Sequence, residues 1–327
     1  MSKNQSTILV TGCAGFIGAA TAGLLLEQGQ KVIGLDNVND YYDVRVKRSR
    51  LAILSGNPDF EFHEIDLEDR AAIEALFETH DISAVINLAA RAGVRASIVD
   101  PFVYVSTNTM GTLHLLDAMR KREIKTFIMA STSSLYADVP MPFEETANVA
   151  RPVSPYAASK LGAEALAHSY AHLYGMNVAI LRYFTVFGPA GRPDMSPFRF
   201  TEWVRRGEPI QLYGDGTQTR DFTFVDDIAS GTVAALGIKG YEIINLGGGN
   251  APLSINQMIE SIGTELGIEP KVSYLEVNRA DMKDTSANVA KANRILGWTP
   301  KVSPFEGFKR TVEWHKKNAD WLDSVDL

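Results

Sequence analysis

Cysteine is nearly missing from this chain. Cys13 is the only one, so no disulfide can form within it. That fits the reducing cytoplasm, where the protein is expected to work. Long apolar runs are missing too. No stretch reaches the roughly 20 residues that a membrane-spanning helix needs, and the polar opening MSKNQST lacks the apolar centre of a secretory signal. No membrane association is expected. Positive charge is in deficit: 32 Lys and Arg stand against 39 Asp and Glu, a net charge of −7. Nucleic acids and anionic membranes need a basic face, so neither is expected as a partner. The one basic cluster, Arg45, Lys47, Arg48 and Arg50, reads as a solvated helix face. There is no GxSxG elbow and no HExxH. His168 and His172 share i, i+4 spacing but have no evident third ligand, so they read as surface and no metal is expected. Repeats and low-complexity segments are also lacking.

What is present is a core-forming composition, 45% apolar, in a regular rhythm. TILVTG reads as a buried strand, and KVIGLD, FEFHEID, AVINLAA, TFIMAS and NVAILRYF read as further strands. Helical patterns separate most of them, including FIGAATAGLLLEQG, LEDRAAIEALFETH, a helix from Asn108 and one from Tyr156 to Tyr174. Strands alternating with helices predict an α/β fold, a Rossmann-type doubly wound parallel sheet. The rhythm breaks after Gly188, in the loop GPAGRPDMSP. Residues 1–185 are therefore expected to form a dinucleotide-binding domain, and residues 186–327 a smaller α/β substrate domain. A helix and a strand near 225–250 are expected to return to the first sheet. A ligand then belongs in the cleft at the strands' carboxyl ends.

Gly12, Gly15 and Gly18, in TGCAGFIG, lie between the first strand and the first helix. A pyrophosphate must approach backbone N–H groups at a helix N-terminus, where side chains would block it. The spacing is GxxGxxG, one residue wider than the GxGxxG fingerprint. Asp36 ends the second strand 18 residues after Gly18, placed to accept hydrogen bonds from ribose hydroxyls. A carboxylate there repels a 2′-phosphate, which favours NAD over NADP. Cys13 reads as an unreactive residue lining this loop.

The stretch SPYAASK starts a helix and sets Tyr156 and Lys160 on one face, about 6 Å apart along the axis. A free phenol has a pKa near 10 and is a weak base at neutral pH. A nearby cation favours its phenolate. The preceding strand ends in STSSLY, a run of hydroxyls able to share a proton with the phenol.

Together, TGCAGFIG, NLAA, STSSLY, YAASK and RYFTVFGP, in that order, resemble the extended short-chain dehydrogenase/reductase superfamily along nearly the whole chain. The resemblance implies tightly bound NAD and a nucleotide-sugar substrate. It implies Tyr156 as base, Lys160 as its partner and Thr132 as the assisting hydroxyl. It further implies cofactor contacts from Phe16, Ile17, Asn37, Asp66, Leu67, Leu88, Ala89, Ala90 and Tyr183. LDNVNDYYDVRVKRSRL, GPAGRPDMSPFRF and YGDGTQTRDFTFVDDI resemble the UDP-glucuronate 4-epimerases within that superfamily. For a uronate carboxylate, Arg192 supplies a cation and Ser133, Ser134 and Thr185 supply hydroxyls; Arg192 can equally pair with Asp194. Arg220, Arg279 and Asp281 match positions that hold the UDP portion in relatives, and Arg95 is a candidate for phosphate or substrate. Related dehydratases carry Asp-Glu after the threonine, and decarboxylating relatives carry Glu where Ser134 stands, so the serines here favour epimerisation. LYA at Leu135–Ala137 departs from the superfamily's VYG and is expected to alter packing only. Two alternatives stay open: epimerisation of UDP-glucose or UDP-N-acetylhexosamines, and a non-catalytic NAD-binding regulator. The family often dimerises through two helices per subunit. A homodimer is therefore expected through the helices from Asn108 and Tyr156, with Met119, Leu166 and Tyr170 as candidate contacts.

Overall fold

The computed structural model describes residues 7–249, 252–277 and 282–327. Arg279 and Asp281 lie outside the described residues. The strands, in chain order, are β1 (Thr7–Thr11), β2 (Lys31–Asp36), β3 (Phe60–Glu64), β4 (Ile82–Asn87), β5 (Thr126–Thr132), β6 (Asn177–Tyr183), β7 (Thr185–Phe187), β8 (Ile210–Tyr213), β9 (Thr219–Arg220), β10 (Phe222–Phe224), β11 (Tyr241–Leu246), β12 (Leu253–Ser254) and β13 (Val272–Leu275). Seven of them make one parallel sheet in the order β11-β6-β5-β4-β1-β2-β3. Side chains alternate across it. In β1, Ile8 and Val10 enter one core while Leu9 enters the other. Burial on both faces is why β1, β5 and β6 read as near-continuous apolar runs. The order reverses between β1 and β4, and a crevice opens there at the carboxyl ends. β11 closes the far edge, pairing Tyr241–Leu246 with Val178–Tyr183 of β6. A third core, including Phe187, Phe222, Phe224, Met258 and Phe308, fills the smaller lobe, where β8 pairs in parallel with β13.

Four expectations need correction. Helical structure does not begin at Asn108. It begins with Val94–Val99 and Pro101–Tyr104 and passes through a π-turn, Val105–Met110, before the helix Gly111–Lys121. The wide turn lets the buried Asn108 side chain bond Arg91 N (2.8 Å), Arg91 O (2.9 Å) and Ser159 Oγ (2.9 Å), which anchors the loop after β4. The basic cluster is not a solvated face throughout. Lys47 and Arg50 are buried, and Arg50 donates to the carbonyls of Ala14, Ala190 and Gly191. Cys13 is sealed in the core against Gly34 and does not line the cleft. Met119 is fully buried in the core under the sheet, so it cannot reach another subunit.

Candidate active site

A cavity of about 710 Å³ lies at the carboxyl ends of the strands. It brings together every described residue named above for catalysis, cofactor or substrate.

Its cofactor wall starts at β1. Gly12 has φ +70°, and a Cβ there would stand 2.6 Å from Ala89 N. A Cβ on Gly18 would lie 1.9 Å from Gly12 O, so only glycine lets the helix Phe16–Glu27 start this close to the loop. Asp36 fixes the next turn. Its two oxygens accept from Ala14 N (3.1 Å) and Val38 N (2.8 Å), leaving lone pairs for further donors. Asn37 Nδ2 donates to Asp66 Oδ2 at 2.6 Å, joining the ends of β2 and β3. Leu67, Leu88, Ala89 and Ala90 continue the wall. Tyr183 lines the cavity, but its hydroxyl is tied to Thr232 Oγ1 at 2.7 Å.

The catalytic helix follows from its sequence. Ser154 accepts from Ala157 N at 3.2 Å, Pro155 opens the first turn, and Gly175 ends the helix at φ 61°. Tyr156 and Lys160 therefore face the cavity one turn apart. Lys160 Nζ is buried and donates to Ala130 O at 2.9 Å. Burial pulls its pKa down to about 8, against the upward pull of Glu164. Burial pushes the Tyr156 phenol up; the Thr132 hydroxyl and the Arg192 guanidinium pull it back. Thr132 Oγ1 accepts from Ser134 N at 3.1 Å, so its hydrogen is left to face the phenol and a substrate.

The substrate wall carries Ser133, Ser134, Thr185 and Arg192. Arg192 makes a two-point pair with Asp194, 3.0 Å from Nε and 2.6 Å from Nη2, and lies over the Tyr41 ring. Arg95 stacks on Tyr213 at 4.0 Å, linking the loop after β4 to the smaller lobe. Arg220 Nη1 donates to Thr219 O and Lys283 O.

Sequence reasoning missed Asn39, Tyr41, Lys47 and Arg91, which also line the cavity. Burial lowers the pKa of Lys47 to about 8, and its Nζ donates to Asn39 O at 2.8 Å. The stretch NDYYDVRVK held the only clue, since a lysine beside two tyrosines reads as surface until the fold buries it. Also missed was the support beneath the site. Glu164 accepts from Ser131 Oγ (2.5 Å), Arg182 Nε (3.0 Å) and Arg182 Nη2 (2.7 Å), and Arg182 reaches Tyr136 OH (3.0 Å).

Comparison with known proteins agrees with this geometry. Residues 8–247 match the NAD dependent epimerase/dehydratase family. A UDP-glucuronate 4-epimerase of Thermodesulfobacterium geofontis is 52% identical over 98% of this chain and 99% of its own. The UDP-glucuronic acid 4-epimerase of Bacillus cereus, solved with UDP-glucuronic acid and NAD, superposes with a TM-score of 0.89. It is 36% identical, with 95% of this chain and 99% of that one covered. A UDP-glucose 4-epimerase of Thermotoga maritima, solved with UDP-glucose, gives a TM-score of 0.87 at 32% identity over 96% of this chain and 99% of its own. By sequence and by structure, the chain belongs to the NAD dependent epimerase/dehydratase family.

Proposed function

We propose that this protein interconverts UDP-glucuronate and UDP-galacturonate by inverting C4 of the uronate, with NAD bound throughout. One observation carries the reading. A single cavity unites a glycine mouth too tight for any Cβ, the half-buried Tyr156 one helical turn from the buried Lys160, and a wall of three hydroxyl residues with one arginine.

The cofactor wall fits NAD. Gly12, Gly15 and Gly18 leave room for a pyrophosphate at the helix N-terminus, and Asp36 keeps acceptor capacity for ribose hydroxyls. NAD held by these residues would supply a hydride acceptor for C4 and then a hydride donor for the 4-keto sugar. Tyr156 removes the C4 hydroxyl proton as the 4-keto sugar forms and gives it back on reduction. Thr132 passes its hydrogen bond between phenol and sugar oxygen. Arg192 supplies a cation that favours phenolate, and Lys160, one turn from Tyr156 on the same helix, adds positive charge to the cavity. The keto intermediate is a β-keto acid and loses carbon dioxide if its carboxylate bond aligns with the carbonyl π system. Ser133, Ser134, Thr185 and Arg192 hold the carboxylate out of that alignment, with Thr132 beside them. Arg95 and Arg220 serve the UDP end of the substrate.

The test is incubation with UDP-glucuronate, then separation of the epimers and any pentose product. Tyr156→Phe is expected to lower kcat by roughly 10²–10⁴-fold with the fold intact. Preferred turnover of UDP-glucose, or full activity in Tyr156→Phe, overturns the reading.

A homodimer completes the proposal. Val99, Phe102 and Val105 are 87%, 83% and 49% exposed on consecutive turns packed beside the helix Pro155–Tyr174. Such an apolar row favours a second copy of the chain. Sedimentation is expected to show a dimer that Phe102→Glu dissociates.

Among the described residues, no helix is long and apolar enough to cross a membrane.

A further inference from the structure

The outer edge of the sheet carries a side-chain cluster that the reaction does not use. β3 is the last strand at that edge. Its residues alternate, so Phe60 and Phe62 pack into one core while Glu61 and His63 turn to the other face. There they meet His80, which ends the helix Arg70–Thr79. His63 Nε2 lies 2.9 Å from Glu61 Oε1, and His80 Nε2 lies 3.2 Å from the same oxygen. The two imidazoles meet edge to face, with centroids 5.0 Å apart. One ligand atom from each of the three residues falls within 4.8 Å of the others.

Hydrogen-bond accounting singles out His80. Its Nδ1 is 3.0 Å from Leu76 O, an atom that can only accept, and in the tautomer that bonds it Nδ1 carries the hydrogen. The nearby Thr79 hydroxyl, 2.8 Å from Nδ1, has its own acceptor in Ala75 O at 3.0 Å. In the neutral ring, Nε2 then points a lone pair at a lone pair of Glu61. Two acceptors at 3.2 Å repel unless a cation or a proton lies between them. An Nδ1–H bond to a backbone carbonyl is also the support that metal-bound histidines use to fix their free nitrogen. The spacing agrees. Ligands at 2.0–2.1 Å from a tetrahedral zinc ion stand roughly 3.3 Å apart. The Glu61 side chain is 58% exposed, while those of His63 and His80 are 25% and 20% exposed, so water can take the fourth position.

We propose that Glu61, His63 and His80 form a surface site for a divalent cation of the zinc type, which clamps the edge strand to the end of the neighbouring helix. None of the three residues lines the active cavity, whose nearest wall residues in the chain, Ile65, Asp66 and Leu67, come after β3. The clamp is therefore a stabilising site, separate from the chemistry.

The test is calorimetric titration of metal-stripped protein with zinc chloride, with Tm followed in parallel. One saturable equivalent and a raised Tm are expected. His63→Ala, His80→Ala and the exposed change Glu61→Gln should each weaken binding at least roughly tenfold. The control His168→Ala/His172→Ala removes the other histidine pair with ligand spacing and should leave binding intact. Magnesium should give no heat, because imidazole suits zinc and hard cations prefer oxygen ligands. The proposal fails if wild type binds no zinc. It also fails if binding disappears with His168 and His172, or survives in His63→Ala/His80→Ala. Circular dichroism confirms that each variant is folded. The readout is heat of binding, so it stands apart from any test of epimerase activity.

Discussion

Two arginine–carboxylate pairs stand near the cavity, one anchored on the helix Pro155–Tyr174 through Glu164 and one in the cleft, and they differ in what surrounds them. Arg182–Glu164 lies under the site with side chains 2% and 4% exposed. Arg192–Asp194 lies in the cleft with side chains 21% and 23% exposed. Both are two-point pairs with near-equal distances. The first is locked by Ser131 and Tyr136, and through Tyr136 OH by Asn245 Oδ1 at 2.8 Å, so it joins β5, β6, β11 and the catalytic helix. The second has water on one side and a substrate pocket on the other. Identical chemistry thus serves two ends. A sealed pair fixes a frame, and an open pair holds a guanidinium oriented in the cavity, where the proposed function needs it for the uronate carboxylate.

The comparison breaks most sharply at Glu164. Glu164→Ala leaves the Arg182 charge buried alone, which is expected to cost about 3–5 kcal/mol of stability in chemical denaturation. Equal stability in that variant would mean the frame does not depend on the pair.

Next in size is the lysine between the two pairs. Its pKa in the folded protein is about 8, below the ordinary 10.5. Between those values this lysine binds more protons in the unfolded chain than in the folded one, so its own contribution to the stability of the cofactor-free protein rises with pH across that window. The gain is on the order of 3 kcal/mol and is complete above the unfolded value. Lys160→Met should remove this component from denaturation curves measured from pH 7 to 11, leaving the one from Lys47, whose pKa is lowered in the same way.

The cleft pair should show in binding rather than stability. Arg192→Ala is expected to raise KM for UDP-glucuronate by roughly 10–100-fold, the value of a charged hydrogen bond, with little change in Tm. Neutral UDP-glucose should not share the loss. The smallest effect belongs to Asp194→Asn. A partly exposed pair is worth about 0–1 kcal/mol, so Tm should barely move, and KM should change by no more than about fivefold.

Much of the site was legible because its chemistry demands particular residues at particular places. Gly18 must be glycine because a neighbouring carbonyl fills its Cβ position, and Tyr156 and Lys160 must lie one helical turn apart. The alternating apolar runs gave the parallel sheet for a similar reason, since both of its faces are covered. Lys47, Arg50 and the Glu164–Arg182 pair were not legible. A charged residue on a helix carries no local mark of burial. Arg50 finds its carbonyl acceptors at Ala190 and Gly191, some 140 positions away in sequence, where only the folded chain brings them together. The π-turn at Val105–Met110 escaped for another reason, because a one-residue widening leaves the helical periodicity almost unchanged.

The parallel pairing of β11 with β6 also dictates the order of events during synthesis. When Tyr183 leaves the ribosome, the outermost hydrogen-bonding groups of β6 still wait for a partner that emerges only with Leu246. Until then the nascent chain displays a long, apolar, unpaired edge, the kind of surface that recruits other chains. A fragment ending near residue 185 keeps that edge permanently, so it should precipitate where the full chain does not.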